Sequence, residues 1–317
     1  MKMRGKSVCV WASAALIVLG AVGSAQAAKK YTVAYVEIVM NDWTQAYWEA
    51  GKAKAESLGM EAINLDPNND VQKQIDLVKS AIAKKVDLIL IQPVDSVSLK
   101  PVLLEAAGKG IIVYDHFAPD PSVGLKHDNI KFATFGQAEA GEMAGKGMIQ
   151  ALGGKGKVAI ITGTAGADNA RLRSEGFKKA IAGTGIQVVA EIAADWDRAK
   201  AMSVAEDLLT KYPDLAGIYS HDDGMAIGIC EAIKQAGKSG QIAVTSCSGN
   251  EGGIMRIKSG EMYSTSDVPT KWFAEAPVQA FYDWKTNKTP LKDLVYQPVM
   301  ITKANADSWL EKIKGGW

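Results

Sequence analysis

From residue 31 onward the chain alternates short, unbroken apolar runs with stretches whose apolar residues recur every three or four positions. Residues 31–36 are aromatic and β-branched and predict a strand; residues 44–58 carry helical spacing and end at Gly59, a residue suited to a helix C-terminus. Residues 60–65 predict a second strand, closed by the turn formers Asp66-Pro67-Asn68-Asn69. Helices follow at 71–84 and 99–107, with strands at 88–92 and 111–114. Strands that are apolar at every position have both faces covered, so they predict a parallel sheet between two layers of helices.

The same alternation then restarts. Helices are predicted at 136–152, 169–182, 198–211 and 224–236, and strands at 158–162, 187–192, 216–220 and 242–246. The halves echo each other: Val86-Asp87-Leu88-Ile89-Leu90-Ile91 parallels Pro213-Asp214-Leu215-Ala216-Gly217-Ile218. A repeat of half the chain means two similar domains, not a solenoid. No Ser- or Pro-rich linker parts them, which predicts several crossings at a hinge. Beyond Ser246 the pattern loosens into a strand at 262–266, a helix at 272–285 with Pro277 near its first turn or kinking it, a strand at 295–301 and a closing helix at 304–312. The expected fold class is α/β, two doubly wound parallel-sheet domains.

The first residues are of another kind. Lys2, Arg4 and Lys6 precede an apolar stretch at 8–22, and Ala25-Gln26-Ala27 supplies the small-x-small pattern of a cleavage site. This predicts a signal peptide at 1–27, cleaved near Ala27, and an exported, periplasmic product. The apolar run falls short of the roughly 20 residues that span a bilayer, and Cys9 within it is not placed as a lipoprotein acyl acceptor. The formal net charge of the 317 residues is +1, and three of the basic residues lie in that leader. Such a balance gives no basic face for nucleic acid and no polybasic membrane anchor. Cys230 and Cys247 survive processing. The compartment permits a disulfide between them, and both positions also suit a small buried side chain.

In open parallel sheets ligands bind beyond the carboxyl ends of the strands. The residues predicted there are Asn41, Asp42 and Trp43; Asp95; Asp115 and His116; Asp168, with Arg171 and Arg173 on the next helix; Asp195, Trp196 and Asp197; His221, Asp222 and Asp223; Ser248 and Asn250; and Asp267. Carboxylates and guanidinium groups bond hydroxyls, and indoles cover apolar C–H faces. This inventory therefore suits a small polyhydroxylated ligand, with Trp43 and Trp196 as shelves. Asp66, Asp95, Asp197 and Asp223 are read instead as turn residues or helix caps. Enzyme frames are missing. No GxGxxG follows the first strand, Gly153-Gly154-Lys155-Gly156 precedes a strand, and there is no GxSxG elbow. His116, His127 and His221 lack metal-ligand spacing. No catalytic residue, metal or cofactor is expected.

Several stretches carry a resemblance. Asn41-Asp42-Trp43 through Ala50-Gly51, Asp87 to Pro93, Ile112-Val113-Tyr114-Asp115, Asn169-Ala170-Arg171-Leu172-Arg173-Ser174-Glu175-Gly176-Phe177, Asp195-Trp196-Asp197-Arg198 and Asp222 to Gly228 occur in this order. Together, over about residues 32–301, they resemble the ribose-binding-protein-like periplasmic sugar-binding family, whose fold is shared with the ligand-binding half of LacI-type repressors. The resemblance implies a substrate-binding component of an ABC importer that closes two lobes on a monosaccharide or sugar alcohol and delivers it to an inner-membrane permease. It implies lobes of residues 28–133 plus 268–296 and 134–267 plus 297–317, joined by three strands near Thr134, Asp267 and Gln297. As ligand residues it implies Trp43, Trp196, Asp115, Arg171, Asp222 and Asp267. The chain departs from the family's pattern at Asp42, at His116 in place of an arginine, and at Ser248 in place of a carboxylate, so the sugar is left open. A repressor of this fold would carry a helix-turn-helix where the leader stands. A non-sugar solute and a chemoreceptor-facing role of the same fold stay open beside the transport reading; a periplasmic enzyme ranks below them.

Overall fold

The computed structural model describes residues 30–116 and 124–314; the expected leader lies outside them. The first half runs β1 (Thr32–Val36), α1 (Asp42–Ser57), β2 (Glu61–Asn64), α2 (Val71–Ala83), β3 (Leu88–Ile91), α3 (Ser96–Gly108), β4 (Ile112–His116) and β5 (Ile130–Phe135). The second runs α4 (Gln137–Leu152), β6 (Lys155–Thr162), α5 (Asp168–Ile181), β7 (Gly185–Ala193), α6 (Arg198–Lys211), β8 (Leu215–Ser220), α7 (Asp223–Gln235), β9 (Ala243–Thr245), α8 (Glu251–Ser259) and β10 (Ser264–Ser266). The chain closes with α9 (Thr270–Asn287), β11 (Leu294–Tyr296), β12 (Met300–Thr302) and α10 (Ala306–Lys314).

Two six-stranded sheets result, in the orders β11-β5-β4-β3-β1-β2 and β12-β10-β9-β8-β6-β7. Every pairing is parallel except β12 on β10. The α/β class with two doubly wound sheets is thus as the apolar pattern predicts. Strand alternation supplies both faces of each sheet. On β1, Val33 and Tyr35 join the core under α1 and α9, while Ala34 and Val36 join the core under α2 and α3. In the second sheet Ile160 and Tyr219 pack with Phe177 of α5, and Ile161 and Ile218 pack with α6 and α7. Helices α4 and α5 lie backbone to backbone: a Cβ on Gly176 would strike the carbonyl of Ala138, and one on Gly141 the carbonyl of Arg173. That contact fixes the rotation of α5 about its axis.

The chain passes between the sheets three times: at Gly136 between β5 and α4, at residues 267–269 between β10 and α9, and at 297–299 between β11 and β12. The last crossing corrects an expectation. Residues 295–301 are not one strand but two, in different sheets, because Pro298 between them offers no N–H to a ladder. Strand β5 and helix α8 have no counterpart in the predicted elements. Helix α9 starts at Thr270, which puts Pro277 past its first turn. Cys230 and Cys247 are both buried and both free. No helix among the described residues is long and apolar enough to cross a membrane.

Candidate functional site

A narrow cleft opens between the two sheets, lined by Ile38, Val39, Asn41, Trp43, Thr44 and Gln92 from the first and by Asn169, Arg173, Trp196, Asp222 and Ser248 from the second, with Val268 at a crossing. Most of these residues follow a strand end, so the cleft sits at the carboxyl edges of both sheets. Asn41 caps α1, its Oδ1 accepting from the N–H groups of Trp43 and Thr44, both at 3.0 Å. Trp43 stacks on Tyr47, with ring centres 5.3 Å apart and planes 17° apart. The Tyr47 hydroxyl in turn lies 2.9 Å from Nε2 of His116.

Across the cleft, Trp196 follows Asp195, and both take left-handed backbone angles, φ +63° and +54°. Such angles are unusual for an indole-bearing residue. They turn the ring down over Gly163, where any Cβ would run into it. Arg173 lies beneath: 4% exposed, with its charge centre 5.6 Å from the Trp196 ring and 5.5 Å from that of Phe135. Its Nε donates to Gln137 Oε1 at 2.8 Å and its Nη1 to the His221 carbonyl. No carboxylate among the described residues pairs with it. His221 is buried and held far below its usual pKa, first by burial and then by Arg173 and Lys178. Its Nδ1 accepts from the Gly163 N–H at 3.3 Å, so the neutral ring carries its proton on Nε2 and donates to Ser174 Oγ at 3.1 Å.

The carboxylates are strongly perturbed. Asp222 caps α7, accepting from the Met225 N–H at 2.7 Å, yet burial pushes it up to about 7. Asp115, 1% exposed, is raised well above the carboxylate range by burial, then by Asp168 and Glu37. Glu37 is pushed up to about 8 by burial. Burial also lowers His116 to about 3, so it stands neutral at the position where the family's pattern has an arginine. Several buried polar atoms around the cleft make no hydrogen bond: both oxygens of Glu37, Asp115 Oδ1, Asp168 Oδ2, Gln137 Nε2 and Trp196 Nε1. Buried groups are nearly always partnered in a finished fold.

A family model described as a periplasmic binding protein domain matches residues 36–289. The ribose import binding protein of Bacillus subtilis is 32% identical over 276 residues, 83% of this chain and 87% of that one. The chain belongs to the ribose-binding-like family of periplasmic binding proteins. The xylitol-binding protein of Mycolicibacterium smegmatis is 29% identical over 268 residues, 82% of this chain and 73% of that one. Among solved structures, a galactofuranose binding protein superposes with a TM-score of 0.82 at 26% identity, over 90% and 99% of the two chains. A solute binding protein of Actinobacillus succinogenes with bound D-allose gives 0.78 at 26% identity, over 88% and 100%.

Within this periplasmic binding protein, the residues expected from sequence fall into three groups. Trp43, Trp196, Asp222 and Ser248 line the cleft together. Asp115 and His116 are buried at the end of β4, beneath the Trp43–Tyr47 stack. Arg171 and Asp267 do not line the cleft, and Asp42 lines only its outer end, beside Trp43, Trp196, Asp222 and Ser248. Arg171 lies on the outer side of α5 with Glu175 at 2.9 Å and Asp168 at 3.7 Å; two residues further on, nearly opposite on the helix, Arg173 takes the cleft position. Asp42 stands at the rim and pairs with Arg198 of α6, while its neighbour Asn41 faces inward. Asp267 accepts from the Tyr296 hydroxyl and the Val299 N–H and ties two crossings together. Asp223 is not a cap. It is fully buried and accepts from Thr265 Oγ1 at 2.7 Å and the Asn250 N–H at 2.9 Å. Glu37, Gln92 and Gln137 were passed over, Glu37 because it follows its strand too closely to read as a loop residue.

Proposed function

We propose that this chain is exported, with its leader removed near Ala27, and serves as the substrate-binding component of an ABC importer. It captures a monosaccharide or sugar alcohol between its sheets and presents the closed form to an inner-membrane permease. One observation carries the reading: the cleft is lined by two indoles together with Asn41, Gln92, Asn169, Arg173, Asp222 and Ser248, the mix of apolar faces and hydrogen-bonding groups that a small ligand rich in hydroxyls requires. Relatives named for ribose, xylitol and allose support it, and so does the structural neighbour that holds D-allose. In this reading Trp43 and Trp196 cover the ligand's faces, Arg173, Asp222, Asn41 and Ser248 bond its hydroxyls, and Asp115 reaches it from below. The lobes divide near Thr134, Asp267 and Gln297, and closure about these crossings buries the ligand. The chain binds without chemistry. A chemoreceptor facing the same closed surface is compatible with this role.

A thermal-shift screen of the mature protein against pentoses, hexoses, sugar alcohols, inositols, amino acids and nucleosides tests the reading, because a ligand that binds only the folded state raises the melting point. A shift with a sugar or polyol is expected. A shift confined to amino acids or nucleosides overturns it.

A further inference from the structure

The cleft does not stop at the two indoles. Trp43, Trp196, Asp222 and Ser248 line its inner part and also an outer chamber, where Asp42, Arg198, Gly224 and Asn250 join them. Asp42, Trp43, Arg198 and Asn250 in turn border a groove beyond, together with Ala46 of α1, Ile227 of α7 and Thr270 of α9. The three spaces share residues, so the opening between the lobes runs from the buried cleft to the surface. Another stretch of the seam is shut: there Asn69 accepts from Thr164 Oγ1 at 2.8 Å and donates to the Asp195 carbonyl at 3.3 Å. Beside the outer chamber, the polar tie across the seam among the described residues is the Asp42–Arg198 pair, with side chains 70% and 48% exposed. Exposed pairs contribute little, so hydroxyls that take over their bonds displace them at small cost.

Gly224 keeps the chamber open. It lies in the first turn of α7 without a positive φ, so its backbone does not ask for glycine. A Cβ there would meet nothing nearer than the Asp222 carboxylate at 3.5 Å, an ordinary contact, and the room of the missing side chain is left to the chamber. The lining offers both kinds of hydrogen-bonding group. Asn250 spends its Oδ1 on the Gly253 N–H at 2.8 Å, and no acceptor among the described residues takes its NH2 group. Trp196, whose Nε1 is buried without a hydrogen-bond partner, lines the inner and the outer space alike. Asp42 and Glu251 stand against Arg198 and Arg256 along the way out, so an ion gains no net attraction there.

We propose that the outer chamber is a second subsite, which takes the further sugar ring or alditol chain of a neutral two-unit glycoside whose first unit sits between the indoles. The proposal rests on the reading of the cleft as a sugar or polyol site and lengthens its ligand. Arg198, Asp42 and Asn250 bond the hydroxyls of the outer unit, and Trp43, which borders all three spaces, offers it an apolar edge.

Calorimetric titration of the mature protein with one-unit probes (D-ribose, D-xylose, D-allose, D-galactose, xylitol and myo-inositol) and two-unit probes (xylobiose, lactose, lactitol, maltitol and galactinol) tests this. A two-unit probe is expected to bind within about 10-fold of the best one-unit probe, or more tightly. Gly224→Leu fills the outer chamber and is expected to weaken that two-unit probe relative to the one-unit probe by about 10-fold or more. Arg198→Ala gives the same comparison, with a relative loss of about 5-fold, and decides should the leucine variant fail to fold. Binding of one-unit probes with rejection of every two-unit probe by more than about 100-fold overturns the proposal and leaves the sugar reading standing. So do variants that change both classes of probe alike. Silence of all the probes overturns the sugar reading, and this proposal with it.

Discussion

Arg171 and Arg173 stand two positions apart on α5, and only Arg173 lines the cleft. The Asn-Ala-Arg-Leu-Arg run identifies α5, but which arginine turns inward depends on how α5 is rotated against α4, and that is set by the approach at Gly141 and Gly176. Arg173→Ala is expected to weaken ligand binding by about 2 kcal/mol or more, since its charge-assisted bonds to the ligand are lost. Arg171→Ala, which removes an exposed group outside the cleft lining, should change affinity by less than about 0.5 kcal/mol. Equal effects in a calorimetric comparison would refute the assignment. Protonation gives a second test at this scale. Glu37 and Asp222 have folded-state values raised from 4.5 to about 8 and from 3.8 to about 7, so the stability they contribute is complete below their ordinary values and is lost progressively as pH rises, the loss being finished once pH passes the folded values. His116, lowered to about 3, works in the opposite sense: its contribution is full above its usual 6.5 and is lost as pH falls below that. Melting of the ligand-free protein is expected to fall on the alkaline side, and Glu37→Gln to flatten that fall; an identical slope in the variant would contradict the assignment.

Among the elements, the long apolar strands and periodic helices were legible because burial on two faces leaves a continuous signal, as in β3, whose four residues are all buried. Short or half-exposed elements were not. Strand β5 mixes buried and half-exposed positions without regular alternation, and α8 is nine residues long with two glycines in its first turn, so neither carries a clear period. Of the site, the indoles and the Asp-Asp pair could be read from their strand-end positions. Which carboxylate caps and which is tethered could not, because one residue of helix phase separates the two fates. Asp222 caps α7, whereas Asp223 links α7 to β10 and to the start of α8. Asp223→Ala is expected to cost about 2 kcal/mol of stability by leaving those donors buried and unmet. Urea denaturation should show a lower midpoint with an unchanged slope; a wild-type midpoint would mean the tether contributes nothing.

At the level of the whole molecule, three polar contacts among the described residues bridge the cleft. Asn69 accepts from Thr164 Oγ1 at 2.8 Å and donates to the Asp195 carbonyl at 3.3 Å, and Asp42 pairs with Arg198. The exposed ion pair adds little. The Asn69 bonds join the turn after β2 to the loops after β6 and β7, so in the proposed closure they favour the closed form. Asn69→Ala is expected to shift the population toward open forms and to lower ligand affinity about 5-fold, equivalent to about 1 kcal/mol. Small-angle scattering of the ligand-free variant should give a larger radius of gyration than the native chain; equal radii and equal affinity would remove Asn69 from the closing mechanism.

The three crossings also bear on how the chain comes into being. The first sheet begins with residue 32, yet its edge strand β11 and its covering helix α9 come from residues 270–296. A ribosome must therefore finish nearly the whole polypeptide before that sheet can close, although domains made from one continuous stretch fold as they emerge. Late closure keeps the nascent chain threadable, the condition that passage through a membrane pore imposes.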